Sequence, residues 1–295
     1  MNPRLILVSL VLAVIGTAPI THAADSVSLA GCFPIEQLAP EDRAFAESLL
    51  LRAMDREALY TIVGGMKPMS SGWFSTRVDV EKPDILELER VNRVLPALRN
   101  GNEVFATVQP FWRVFENRRF AEGIFVHRSS FTNKLASNRS YWAFYGITPA
   151  SDPLSAVMMI DSDQTPRRNR AYGDLFGYPR HAVDFFVQAE ESRRKTGQFV
   201  QRDFFSIPVF EAATNRFVYA VPKGHVPNEE DLRIQAKAEP ILAYYRNLRA
   251  RFIGPDKPGI VALLREWFHD GRGGYSSSTA LRKAEAQWAR RESKN

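Results

Sequence analysis

The string Asp161-Ser162-Asp163-Gln164-Thr165 directly follows the wholly apolar run Ala156–Ile160. Two carboxylates one residue apart, at the end of a short hydrophobic run, suit acid–base work or the holding of a cation. A second group lies earlier, where Tyr60 to Val63 leads into Gly64-Gly65-Met66-Lys67-Pro68-Met69-Ser70-Ser71-Gly72. Gly64 and Gly65 let backbone N–H groups approach an anion, and Lys67, Ser70 and Ser71 complete a small nest around it. A third is His181, which shares a helix face with Asp184 at i, i+3, the spacing of a base and its orienting carboxylate. Just upstream, Arg167, Arg168 and Arg170 offer guanidinium forks for a carboxylate or phosphate. The expected site therefore has Asp161, Asp163 and His181 as catalytic residues. Gly64, Gly65, Lys67, Ser70, Ser71 and Arg170 would hold the substrate.

The apolar run followed by D-x-D-x-T resembles the first motif of haloacid-dehalogenase-like phosphohydrolases. The resemblance implies that Asp161 is a phosphoryl nucleophile and Asp163 a general acid, both beside Mg²⁺. The metal would offset the mutual repulsion of two carboxylates and a phosphate. The likeness spans ten residues; Pro166 follows at once, and no later strand ends in the paired acids that complete that family's metal site. The same residues also read as a cation or ligand site of another kind, or as a solvated turn whose Asp side chains cap the next helix. The Gly64–Gly72 loop reads equally as a turn shaped by Gly and Pro with no ligand. His181 and Asp184 read equally as a surface ion pair.

Other chemistries are excluded or left unassigned. Cys32 is the only cysteine, so there is no internal disulfide and no cysteine-based metal site. His127, His181, His225 and His269 form no H-x-H, H-E-x-x-H or H-x-x-x-H pair, and no G-x-S-x-G elbow occurs. The sequence assigns no metal and no cofactor. Residues 1–23 read as a secretory signal: Arg4, an apolar stretch from Leu5 to Ile15 broken only by Ser9, then small residues up to Ala23. Cleavage is expected after Ala23, with the mature chain in the periplasm or the medium. Leu29-Ala30-Gly31-Cys32 matches a lipoprotein attachment pattern but lies too far beyond the apolar stretch, so a lipid anchor is not expected. No apolar run reaches the roughly 18 residues of a membrane-spanning helix.

Without the leader the chain carries 38 Lys+Arg against 33 Asp+Glu. Arg118 to Arg202 holds 13 basic against 8 acidic residues, and the remainder is balanced at 25 each, so the middle carries the whole excess. A local excess of this kind focuses an anionic small molecule into a cleft. No basic run alternates with stacking aromatics, so nucleic acid is not the expected partner. Oligomeric state is not fixed by the sequence.

The elements that must position these residues follow from periodicity. Helices are expected over Pro40–Arg56 and Asp84–Arg99, with strands at Ala58–Val63 and Val104–Val108 forming a parallel crossover unit. Phe111–Phe115 and Phe120–Val126 read as a hairpin, and Ser129 or Ser130 as the cap of a helix bearing Phe131, Leu135, Trp142 and Tyr145. Ala156–Ile160 reads as a strand, Arg167–Phe176 and Pro179–Arg194 as helices, and Phe204–Phe210 with Arg216–Val221 as a hairpin. Asn228 caps a long helix with the stripe Ile241, Tyr245, Leu248 and Phe252; a further helix carries Ile260, Leu264 and Trp267. Gly271–Ser278 leads flexibly to a polar terminal helix. The fold class is α/β, with α+β as the alternative: a small mixed sheet with packed helices and a helical C-terminal third. The expected divisions are a leader at 1–23, an extended segment at 24–39, one domain at 40–270 and a terminal helix within 271–295. The function expected is that of an exported hydrolase for an anionic small molecule. The alternative is a non-catalytic anion-binding or protein-interaction domain.

Overall fold

The computed structural model describes residues 26–293; the expected leader and its cleavage point lie outside the described residues. Pro40 occupies the first turn of α1 (Pro40–Asp55), with Glu41 and Asp42 at its positive end. A single turn, α2 (Leu59–Ile62), follows and stops at Gly64 and Gly65, whose φ angles of +72° and +63° are left-handed. Then come β1 (Met69–Ser70), β2 (Ser75–Asp79), α3 (Leu86–Val94) and β3 (Arg99–Asn100). β4 (Val104–Phe115) and β5 (Arg118–His127) form a long hairpin, turning through Glu116 and Asn117, both at positive φ. The middle of the chain is helical: α4 (Arg128–Ser137), α5 (Arg139–Ala143), α6 (Pro153–Ser162), α7 (Pro166–Leu175) and α8 (Arg180–Thr196). A second hairpin, β6 (Arg202–Ile207) and β7 (Phe217–Pro222), precedes α9 (Glu229–Phe252), α10 (Ile260–Phe268) and α11 (Ser277–Glu292).

β5 is the hub of the main sheet. It pairs with β4 on one edge and with both β1 and β2 along the other, while β3 closes the far side on β4. Every pairing among the described residues is antiparallel. Alternation along β5 sends neighbouring side chains to opposite faces. Phe125 joins a core made with α1, α2, α9 and α10; Ile124 and Val126 join a second core with Phe131, Trp142, Val157 and Leu175 from α4 to α7. The result is a mixed α/β fold: a small sheet between two helical layers, with α9–α11 as the C-terminal helical stretch. α11 packs on α9 and α10, and the Trp267 indole donates to the Ala280 carbonyl at 2.8 Å. No helix among the described residues is long and apolar enough to cross a membrane.

Two expected strands are helices. Ala58–Val63 is a helical turn, with the Ile62 and Val63 amides bonded to the Ala58 and Leu59 carbonyls. Ala156–Ile160 lies inside α6, whose start is marked by Asp152 capping the Ser155 amide and by Pro153 in the first turn. Both runs are short and lack exposed polar residues, since the first is buried and the second exposes only Met158 and Met159, so periodicity alone does not separate strand from helix. With the first strand gone the parallel crossover does not form. Cys32 is wholly buried near the N-terminal end of the described chain; burial pushes its thiol up to about 12, against the opposing charge of Arg265.

Candidate functional site

The carboxylates stand at the end of a helix rather than a strand. Asp161 is buried in the last turn of α6 and accepts from the Trp112 amide (2.5 Å), the Arg168 guanidinium (2.5 Å) and the Tyr172 hydroxyl (3.2 Å). The Trp112 amide is free because β4 slips register between Pro110 and Val114, so Asp161 satisfies the bulge. Asp163 accepts from the Tyr145 hydroxyl (2.8 Å) and from the amide (2.8 Å) and hydroxyl (3.0 Å) of Thr165. Burial opposes its ionisation, but these hydrogen bonds and the Arg167 charge outweigh it and hold the carboxyl below its ordinary range. Both acids line a hollow of about 300 Å³ shared with Arg168 and Arg194, and no histidine lines it. The two acids are thus occupied in holding a bulge and a turn, and His181 is not with them.

The anion nest also comes apart. Lys67 is wholly buried, its Nζ 2.9 Å from a Glu57 carboxylate oxygen and 3.9 Å above the Phe217 ring, with Tyr178 and Phe176 completing an aromatic box. Burial pulls its pKa below the ordinary lysine value, and the Glu57 charge opposes that fall. It faces the core, not a ligand. Ser70 is buried in β1 and its hydroxyl has no partner. Ser71 sits beside Glu122, whose carboxyl is raised chiefly by burial, with the Ser71 side chain opposing the rise. Arg170 closes on Asp184 at 2.6 Å, so it is neutralised, and Asp184 orients Arg170 rather than His181. Gly64 sits against Leu281, where a Cβ would collide. Gly65 alone of the expected nest lines an open groove. A Cβ there would run into His127 and Ser130.

That groove holds about 550 Å³ between α4 and α9. Ser130, Asn133 and Lys134 form one wall; Glu230, Arg233 and Lys237 form the other, with Gly65 and Tyr178 between them. Three cations thus face one carboxylate. Lys134 comes no nearer than 3.9 Å to Asp174, and Arg233 no nearer than 3.8 Å to Glu230. Lys237 is exposed and forms no ion pair among the described residues.

Glu230 links this groove to a cluster that sequence reasoning missed. His181 from the first turn of α8, His225 from the loop after β7 and Asp231 from the first turn of α9 bring their donor atoms within 4.8 Å of one another. The imidazole rings stack at 5.3 Å and 16°. Asp231 is wholly buried and accepts from Tyr219 Oη (2.6 Å), His225 Nε2 (2.7 Å) and the Asn228 amide (3.0 Å). Burial opposes its charge, but these contacts and His181 outweigh it and leave the carboxyl below its ordinary value. His181 Nδ1 meets Glu230 at 3.3 Å, and its Nε2 lies 3.2 Å from Asp231 Oδ1. The only local signal was the Asn228–Asp231 capping box, which reads as helix initiation alone.

A further buried chain, Glu103–His127–Ser277, has the connectivity of a charge relay. His127 Nδ1 lies 3.1 Å from Glu103 and Nε2 2.9 Å from the Ser277 hydroxyl. His127 is also the N-cap of α4, and its Nδ1 accepts the Ser130 amide. Burial closes the Ser277 hydroxyl off from any substrate. Both residues are buried, and the contact ties α11 to the start of α4.

No protein-family model, no curated protein and no solved structure matches the chain.

Proposed function

We propose that this protein binds a small anionic ligand in the groove between α4 and α9. The observation that carries the reading is Lys237, an exposed cation with no carboxylate partner among the described residues, on the same concavity as Lys134, Arg233 and Gly65. The contacts of Lys134 and Arg233 with their acids are long, at 3.9 Å and 3.8 Å, and contribute little to stability, so an incoming anion competes with them at small cost. Uncompensated cations around one hollow raise the local concentration of anions. The order of residues 1–23 supports export, so the ligand would be one met outside the cytoplasm.

Thermal unfolding with inorganic phosphate, pyrophosphate and citrate tests this reading. A bound probe at about a hundred times its Kd stabilises by about 2.7 kcal/mol, roughly a 5 °C rise in Tm for a chain of this size. The double variant R233A/K237A should lose the rise. No saturable rise with any probe, or an equal rise in the variant, refutes it. A hydrolytic reading attaches to the same groove, because Glu230, held by the His181 Nδ1 contact, stands on its wall as a carboxylate base. Turnover of phosphate or carboxyl esters that disappears in His181→Ala would support that reading; a blank screen with the folded protein counts against it.

A further inference from the structure

We propose that His181, His225 and Asp231 form a binding site for a divalent transition-metal ion of the Zn²⁺ type, independently of whether the groove holds an anion. Three donors converge from three separate elements, two imidazoles and one carboxylate, the mixture that borderline metals such as zinc prefer. Tetrahedral zinc with bonds of about 2.0–2.1 Å sets neighbouring donor atoms roughly 3.3 Å apart. His181 Nε2 and Asp231 Oδ1 are 3.2 Å apart, His225 Nε2 and Asp231 Oδ2 are 2.7 Å apart, and the three donors lie within 4.8 Å of one another, so side-chain rotation draws both imidazoles and the carboxylate onto one ion.

The orientation of His181 is the second observation. Its Nδ1 faces the Glu230 carboxylate, so a neutral ring carries its proton there and turns the Nε2 lone pair toward Asp231. Nε2 is buried and makes no hydrogen bond despite lying 3.2 Å from Oδ1. Two acceptors face each other across that gap, and a cation between them removes the conflict. Glu230 then acts as the outer carboxylate that fixes the tautomer of a ligating histidine. Asp231 has capacity for the ion as well. A carboxylate has about four acceptor positions; Tyr219 and the Asn228 amide fill one on each oxygen and hold the group in place. On metal entry His225 carries its proton on Nδ1, freeing Nε2 to coordinate. Asp231 and Glu230 together balance the charge of a divalent ion, and the fourth coordination position stays open for water or a ligand atom.

The test uses the full mature chain, stripped with a chelator, dialysed and loaded with Zn²⁺ or Co²⁺ alone. Metal content after gel filtration and the visible absorption of the Co²⁺ form are the readouts. One ion per chain is expected, with the tetrahedral Co²⁺ spectrum, and Zn²⁺ affinity falling at least 100-fold in His181→Ala and in His225→Ala. Tyr219→Phe should weaken binding about 10–100-fold, as loss of an orienting partner does. His269→Ala, remote from the cluster, should bind as the parent does. His181 Nε2 holds no hydrogen bond, so His181→Ala keeps the test sound if His225→Ala fails to fold. No stoichiometric ion in the folded parent, or unchanged affinity in folded His181→Ala, overturns the proposal.

Discussion

Replacing Lys67 by Met separates a buried structural role from the ligand-binding role its sequence context suggests. Met fills most of the same volume and keeps the contact with Phe217, Tyr178 and Phe176, but removes the cation facing Glu57. The Glu57 side chain is only 12% exposed, and the already raised Glu122 carboxyl adds repulsion to it. Breaking a buried pair from one side costs about 3–5 kcal/mol, because the remaining charge is left without compensation. The lost cation–π contact adds about 1–2 kcal/mol. At roughly 2 °C per kcal/mol for a chain of this size, Tm should fall by about 8–14 °C. Thermal and urea unfolding provide the assay, with Lys67→Met/Glu57→Gln as the companion. The double variant should regain much of the loss, since it removes the stranded charge along with its partner. Phosphate or pyrophosphate binding, measured well below the transition, should be unchanged. A stable Lys67→Met that loses anion affinity would refute the reasoning and return Lys67 to the ligand.

Asp161→Ala should cost about 2–3 kcal/mol by stranding the Trp112 amide and releasing Arg168, with the ion-pair share small because Arg168 is one-third exposed; urea unfolding measures it, and unchanged stability would show that the acid is not there to hold the bulge. His127 makes a pH prediction. Burial holds its ring below the ordinary imidazole value, against the opposing charge of Glu103. The unfolded chain therefore takes up a proton first. Its contribution is complete above about pH 6.5 and is lost as the pH falls toward the folded value, by at most about 1.4 kcal/mol per pH unit. Urea melts of the parent and His127→Gln between about pH 7 and pH 5 should show a flatter dependence in the variant, and identical slopes would remove His127 as the cause.

Where local rules act alone, the sequence carried the structure. Asn228 and the Ile241–Tyr245–Leu248 stripe became α9, Pro40 with Glu41 and Asp42 became the start of α1, and the aromatic segments after Phe204 paired as β6 and β7. Of the two helices that read as strands, α2 is fully buried and α6, over Ala156–Ile160, sets the apolar Met158 and Met159 on its exposed face, so the exposed polar residues that reveal a period are missing. For α6 the evidence for a helix lay just outside the apolar run, in the Asp152-Pro153 start. The reading of Asp163 as a helix cap is replaced by its neighbour: Asp163 closes a turn on Thr165, and the Thr165 hydroxyl accepts the Arg167 amide to cap α7. The site was less legible. Nothing local says that Arg170 will meet Asp184, that Lys67 will turn inward to Glu57, or that His225 will stack on His181. These pairings arise from how α8, β7 and α9 pack, and charge counts along the chain carry no record of that packing. The Arg and Lys ion pairs of the middle segment all fall on its own carboxylates and leave its excess in place, yet the groove draws two of its cations, Arg233 and Lys237, from outside that segment.

The seclusion of the sole sulfhydryl gives the molecule an internal stopwatch. With Cys32 wholly covered and its ionisation displaced to about 12, an alkylating reagent finds a reactive sulfur only in copies whose N-terminal packing has come undone. Labelling half-times in native buffer therefore time the breathing of that region without any engineered reporter, and every variant above can be compared on that single scale.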